Sequence, residues 1–196
     1  MADSLFRIAA PGTSDHILAQ NLVAEEYRRH FGSAVSHPLA YSLNLHQDDE
    51  LVGCMGFSPA LDDTLFLEQY LDEPIESMIA ATMRGGAAVS REEIVEIGSF
   101  AVRRRQYALP LMIEMAQAML ARGFTTAVCT ATGPVAGCLG KLGIAHVRLA
   151  RADASRIPDA NQWGSYYSLD PVVLGGDIAG GVQSIKGHYD ACTGAG

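Results

Sequence analysis

With 196 residues, 48% of them apolar and 18% charged, the chain has the size and composition of one globular domain with a full core, which excludes a disordered or repeat protein. A net charge of -8 excludes the broad basic face of a nucleic-acid binder; the one basic cluster, Arg103-Arg104-Arg105, suits a single phosphate group. The four cysteines lack CxxC spacing and the six histidines lack close pairing, which excludes a disulfide scaffold and predicts no metal site.

The first fifteen residues carry no basic region followed by an apolar stretch, and there is no apolar run of membrane-spanning length. The expectation is a cytoplasmic protein without a signal peptide or stable membrane insertion. Residues 4–10 read as a first strand. Pro11-Gly12-Thr13-Ser14-Asp15 is a turn with an N-cap signal, and Ile17, Leu18, Leu22, Val23 and Tyr27 recur at helical spacing, so 15–31 is a helix stopped by Gly32. Residues 39–58 read as a β-hairpin about the polar turn Gln47-Asp48-Asp49-Glu50. Residues 65–83 read as helical in two pieces, with Pro74 in the first turn of the second.

EIVEIGSFAV (93–102) is strand-like. After the arginine turn, 108–122 is a helix with Leu111, Met115, Ala118 and Met119 on one face, closed by Gly123. Residues 125–130 form a strand, 134–142 a short helix, 145–150 a strand and 163–174 an extended segment. Residues 177–196 read as a Gly-rich tail after a single domain over 1–176. Cys54 and Cys129 lie in apolar runs and read as core thiols. The order predicts a mixed α/β sheet, antiparallel early, with a right-handed parallel crossover from 93–102 to 125–130.

The turn from strand 93–102 into the helix at 108 exposes unpaired amides at a positive helix end. With Arg103, Arg104 or Arg105 it makes an anion site; the alternative is a solvated basic turn capping the sheet. Glu96 is a carboxylate in an otherwise apolar strand, either facing a cavity or ion-paired with Arg91 or Arg148. Glu68-Gln69 is a candidate substrate-binding pair, since Glu68 and Asp72 at i,i+4 could hold an amine; a solvated helix face is equally consistent. Trp163, Tyr166 and Tyr167 form the late aromatic cluster, and on a strand only one of the tyrosines could face a site. Ser99 lacks the GxSxG elbow and neighbouring His of a nucleophile. Thr132 reads as the N-cap of the 134–142 helix.

Arg103-x-x-Gln106-x-Ala108 resembles the pyrophosphate-binding signature of the GNAT N-acetyltransferases, Arg/Gln-x-x-Gly-x-Gly/Ala, at the start of a helix. Gln106 stands where the first glycine is usual. That removes the closest backbone approach and admits an acyl-carrier protein as donor beside coenzyme A. LFLEQYLDEPIE (65–76), EIVEIGSFAV (93–102), TATGPVAGCLGKLGI (130–144) and WGSYYSLDPVVLGG (163–176) together resemble the thermostable hemolysin family, with Ser99 and Phe100 where Asn and Leu are usual. EIGSFAV also resembles the E-I/L-SRFAV strand of acyl-homoserine-lactone synthases. The Arg of that motif is missing, so S-adenosylmethionine is not supported as acceptor.

These resemblances imply a bacterial enzyme of GNAT-like fold: a mixed, mostly antiparallel sheet with a splayed parallel strand pair, flanked by helices. The implied activity is acyl transfer from an acyl-coenzyme A or phosphopantetheinyl carrier protein to a small-molecule amine, with no tightly bound cofactor. Glu96 is implied as general base, Tyr166 or Tyr167 as acid toward the leaving thiol, and a β-bulge amide at Ser99–Ala101 as oxyanion donor. The donor would lie along Phe100, Ala101 and Val102, with its phosphates at 103–108, including Tyr107, and its pantetheine arm near Thr130. Trp163 would wall the acceptor pocket; the alternative is a core residue. The alternative is a lytic effector, as the family name denotes, or a non-catalytic binding module on the same fold. Either reading is compatible with a dimer.

Overall fold

The computed structural model describes residues 4–34 and 38–193; His37 and residues 194–196 of the Gly-rich end lie outside them. Seven strands form one sheet: β1 (Ser4–Ala9), β2 (Tyr41–Gln47), β3 (Glu50–Pro59), β4 (Ile94–Val102), β5 (Thr126–Ala131), β6 (Val147–Arg151) and β7 (Val172–Asp177). The order is β1-β2-β3-β4-β5-β7-β6, and β4–β5 is the parallel pair. This is the expected mixed, mostly antiparallel sheet.

Alternation along β4 assigns the helices to faces. Val95 packs with Leu111, Met115 and Met119 of α3 (Ala108–Ala121). Ile94 points the other way, into a core with Ile75 and Ile79 of α2 (Ile75–Met83). Cys54 and Ala101 meet Ala19, Leu22 and Val23 of α1 (Ser14–Phe31) on that same second face. A short helix α4 (Gly133–Lys141) follows β5. At the β2–β3 turn Asp48 and Asp49 both adopt positive φ, 51° and 64°, the conformation a tight hairpin demands.

Three expectations are corrected. Residues 177–193, read as part of a tail, are not one: α5 (Ile178–Thr193) is helical, with Ile178, Val182 and Ile185 buried and Asp177 Oδ2 accepting from the Gly180 amide. An apolar stripe at helical spacing outweighs the helix cost of its glycines. The first piece of 65–83 is only a 3-10 turn, Phe66–Tyr70, because Leu71 is already extended and Pro74 cannot continue a helix. Residues 163–174 are not one strand; two 3-10 turns, Ala160–Trp163 and Tyr166–Leu169, precede β7. Cys54 is buried as expected, whereas Cys129 is half-buried.

Candidate functional site

Strands β4 and β5 pair only at Ile94↔Thr126, Val95↔Ala127 and Glu96↔Val128, then diverge. Glu96 therefore sits at the apex of a V. On its other edge β4 stays paired with β3 as far as Val102, through an irregularity where Ser99 and Phe100 together oppose Met55. Ser99 adopts φ 47°, so the expected bulge is present at Ser99–Phe100. The bulge restores Ala101 to the face that Gly98 and Glu96 share.

A cavity opens at this apex, with about 470 Å³ of empty space including its mouth. Glu96, Ile97, Gly98 and Ser99 form its floor and Thr130 its β5 wall; Tyr27, Leu39, Phe66, Tyr70, Trp163 and Tyr166 close the rest. Glu96 is 4% exposed and makes no ion pair among the described residues, so neither Arg91 nor Arg148 neutralises it. Burial pushes its carboxyl up to about 7; the Leu67 and Phe66 amides hydrogen-bond to it and act in the opposite sense, while Glu68's charge adds to the rise. Its Oε2 and the Thr130 hydroxyl are buried without hydrogen-bond partners, so both are free for a ligand.

The aromatic wall is a connected stack. Trp163 packs at 5.3 Å on Tyr166, 5.7 Å on Phe66 and 6.2 Å on Tyr167, and Phe31 meets Tyr166 edge-on at 5.4 Å. The strand rule that admits only one tyrosine does not apply, because both lie on the 3-10 turn. Tyr166 lines the cavity, and its hydroxyl donates to the Thr130 carbonyl at 3.4 Å. Tyr167 shares a hydrogen bond with Tyr70 at 2.8 Å. Burial raises the hydroxyl pKa of Tyr70, Tyr166 and Tyr167, so all three stay protonated donors at neutral pH.

This wall hangs on one glycine. Gly164 adopts φ 55° and ψ -126°, and the loop beside it bonds to the end of α1 through Ala34 N to Gln162 O and Ser165 N to Phe31 O, each 2.9 Å.

Glu68 and Gln69 do not reach the cavity. Glu68 accepts from the Leu65 and Ile75 amides and pairs with Arg91 at 2.9 Å. Arg91 also pairs with Glu76 at 2.7 Å and donates to the Ala60 and Asp63 carbonyls. Burial pushes the Glu68 carboxyl up, but the hydrogen bonds from Arg91 and the two amides, with the Arg91 charge, outweigh it and hold it below its ordinary value. Gln69 is exposed and donates to Phe66 O; Asp72, instead of joining Glu68, pairs with Arg156. The pair is a staple that fixes the Phe66–Tyr70 turn, and with it the amides over Glu96. Arg91→Ala leaves Glu68 without its cation. Arg91 is a quarter exposed, so the expected cost is about 2–3 kcal/mol, short of a fully buried pair. Thermal melts at pH 7 check it; an unchanged Tm would remove the staple from the argument.

At the donor end, Arg103 is taken by Glu25 at 2.9 Å. Arg104 and Arg105 are exposed and form no ion pair among the described residues, beside the first amides of α3. Gln106 lies in the 3-10 turn Arg105–Tyr107 with its side chain exposed, and the half-buried Tyr107 donates to Gln47. Ala108 opens α3, Ala101 is buried, and Phe100 and Val102 pack toward α3. Thr132 occupies the α4 N-cap position, but its hydroxyl makes no capping bond. Sequence reasoning missed Tyr27, Leu39, Phe66 and Tyr70 as cavity residues. Tyr27 read as one position of a helical stripe, Leu39 as the start of a strand, and Phe66 and Tyr70 as parts of a helical piece; the polar tips of Tyr27 and Tyr70 were the available signal.

The family model described as thermostable hemolysin matches residues 10–182. The chain belongs to the thermostable hemolysin family. In this member WGSYY builds the aromatic wall, LEQY holds the turn over Glu96, and EIGSF forms the apex and bulge.

Among solved structures, the acyl-homoserine-lactone synthase LasI is 15% identical over 91% of both chains, TM-score 0.62. FeeM, an N-acyl amino acid synthase from uncultured soil microbes, is 14% identical over 91% of this chain and 93% of its own, TM-score 0.62. BjaI, a coenzyme A-dependent acyl-homoserine-lactone synthase with S-adenosylmethionine and isopentyl-coenzyme A, is 13% identical over 95% and 89%, TM-score 0.63. These likenesses show that the family member shares the synthases' fold.

A curated relative, the 3,4-dihydroxy-2-butanone 4-phosphate synthase of Escherichia coli, is 32% identical over 122 residues, 60% of this chain and 51% of that enzyme. The chain spans about half the length of the curated relatives it matches. No helix among the described residues is long and apolar enough to cross a membrane.

Proposed function

We propose that the protein is an acyltransferase that moves an acyl group from a coenzyme A or acyl-carrier-protein thioester to an amine. The observation that carries this reading is Glu96: a buried, unpaired carboxylate at the apex of a splayed strand pair, opening on an aromatic cavity, with its pKa near 7. Structural neighbours that act on acyl donors, BjaI with isopentyl-coenzyme A among them, support the donor class.

In this reading Arg104, Arg105 and the first amides of α3 hold the donor's phosphates. The edge of β4 left free beyond Glu96 receives the pantetheine amides, and Thr130 offers its unpaired hydroxyl. The thioester carbonyl meets the bulge amide at Ser99–Ala101, where its oxygen becomes negative. The acceptor amine lies against Trp163. Its nitrogen bonds to the carbonyl carbon, its proton passes to Glu96, and the carbon–sulfur bond breaks. The leaving thiolate takes a proton from Tyr166 or Tyr167, so an amide and a free thiol are the products.

Thermal-shift titration against coenzyme A, acyl-coenzyme A and acylated carrier protein tests the donor. A ligand at about a hundredfold its Kd stabilises the native state by about 2.7 kcal/mol, roughly 5–11 °C for a chain of this size. Replacing Arg104 and Arg105 together with alanine is expected to weaken donor binding at least about tenfold, as the loss of one charge-assisted bond does. Shifts from the carrier protein alone would assign Gln106 the role of excluding free coenzyme A. Silence across the panel would replace this reading with a non-catalytic module or lytic effector.

A further inference from the structure

The walls of the cavity over Glu96 carry the rings of Tyr27, Phe66, Tyr70, Trp163 and Tyr166. Among the described residues, Glu96 is the one carboxylate that lines it, and no Arg, Lys or His does. The tyrosines bring no charge at neutral pH. Burial pushes the Tyr27 hydroxyl up to about 12, and the Tyr70 and Tyr166 hydroxyls also lie above their ordinary value.

Arginines of the flanking segments are engaged elsewhere. Arg91 holds Glu68 and Glu76, Arg156 holds Asp72, and Arg103 holds Glu25. Arg104 follows the far end of β4, eight residues from Glu96, or roughly 25 Å of extended chain. The Thr130 hydroxyl and the Trp163 indole N–H are buried without hydrogen-bond partners. Such neutral donors can bond to a carboxylate, but they leave its charge unpaired in a site that already holds Glu96. The net charge of -8 adds a field that favours cations over anions.

We infer that the acceptor is an arylalkylamine without a carboxylate, its nitrogen at Glu96 and its ring against Phe66 and Trp163. This rests on the acyltransferase reading and names its acceptor class. An amine arrives neutral or as an ammonium ion. Both suit a carboxylate set among aromatic rings, which attract a cation and stack on another ring. An α-amino acid carries its carboxylate on the carbon next to the nitrogen, so it cannot reach Glu96 without burying that charge.

The test is kcat/KM with one acyl thioester for three matched pairs: phenethylamine against phenylalanine, tyramine against tyrosine, and tryptamine against tryptophan. Members of each pair differ only by the carboxylate; hexylamine and spermidine complete the panel. In the unaltered protein each arylalkylamine is expected to exceed its amino acid at least about a hundredfold, the effect of burying an unpaired carboxylate. Phe66→Leu is expected to raise KM for phenethylamine about three- to tenfold, the worth of an aromatic pair, and to change that for hexylamine less than about twofold. Melts confirm that this variant folds; if it does not, the pairs decide alone. Parity within the pairs, or a preference for the amino acids, hexylamine or spermidine, would overturn this inference and leave acyl transfer standing. So would stabilisation by a thioester with no turnover of any amine in the panel. Silence in both the thioester melts and the turnover would overturn both.

Discussion

Glu96→Gln is expected to lower acyl transfer at least a thousandfold and, above pH 8, to melt higher than the unaltered protein. Both effects follow from one buried carboxyl whose folded value, about 7, lies above its ordinary 4.5. Below about pH 4.5 the group is neutral folded or unfolded, and folding carries no penalty. As pH rises from there through 7, only the unfolded chain ionises it freely, so stability is lost. Two and a half pKa units correspond to about 3 kcal/mol above pH 8, or roughly 6–12 °C in Tm for a chain of this size.

Activity runs the opposite way. The base works only when ionised, so kcat/KM is expected to rise with pH and reach half its plateau near 7. Glutamine keeps an oxygen for the Leu67 and Phe66 amides, cannot ionise, and cannot take a proton. Melts at pH 5 and pH 8.5 with a pH–rate profile check both halves. A Gln variant retaining more than a tenth of the turnover would overturn the base assignment. Equal Tm values at pH 8.5 would mean that water reaches the carboxylate.

Gly164→Ala is expected to be the most damaging single methyl in the molecule. A Cβ there would lie 2.0 Å from the Phe31 carbonyl oxygen and 3.0 Å from the Gly32 carbonyl carbon, both backbone atoms that cannot swing aside. The backbone conformation is itself one that L-residues avoid. The loop must leave the end of α1, breaking its two backbone bonds there and displacing Trp163 and Tyr166. The expected loss is about 3 kcal/mol or more in stability and about a hundredfold or more in turnover, since a 1 Å misplacement can cost that much. Gly12→Ala is the control. It has φ 78° but nothing within 4 Å of the added methyl, so it bears only conformational strain, about 1 kcal/mol. If the two variants melt alike, steric support from Phe31 is not what holds the wall.

The strand–turn–helix at 93–121 was legible in the sequence, because a β-like apolar run, an arginine turn and an i, i+4, i+8 stripe are local patterns. The four motifs in order were enough to indicate the family. Glu96 stood out as one carboxylate in an apolar strand. Glu68 looked equally suited to chemistry, yet it is bound to Arg91, 23 residues on, and holds a turn in place. The two glutamates thus received opposite electrostatic environments, and no local pattern showed which of them an arginine would neutralise.

Trp163, Tyr166 and Tyr167 show the same division. Their aromatic character marked them, but an alternating run cannot reveal that the chain coils there. That depends on Gly164 meeting the end of α1, 133 positions earlier in the chain, through the bond from Ser165 N to Phe31 O. The sequence by itself determined α1, the β2–β3 hairpin, the strand–turn–helix at 93–121, the basic turn and the motifs that mark the family, since these follow from periodicity and turn chemistry over a few residues. The tertiary structure decided which carboxylate is unpaired and which aromatics wall the cavity. Burial and pairing are relations between distant segments, and they exist only once the sheet has brought those segments together.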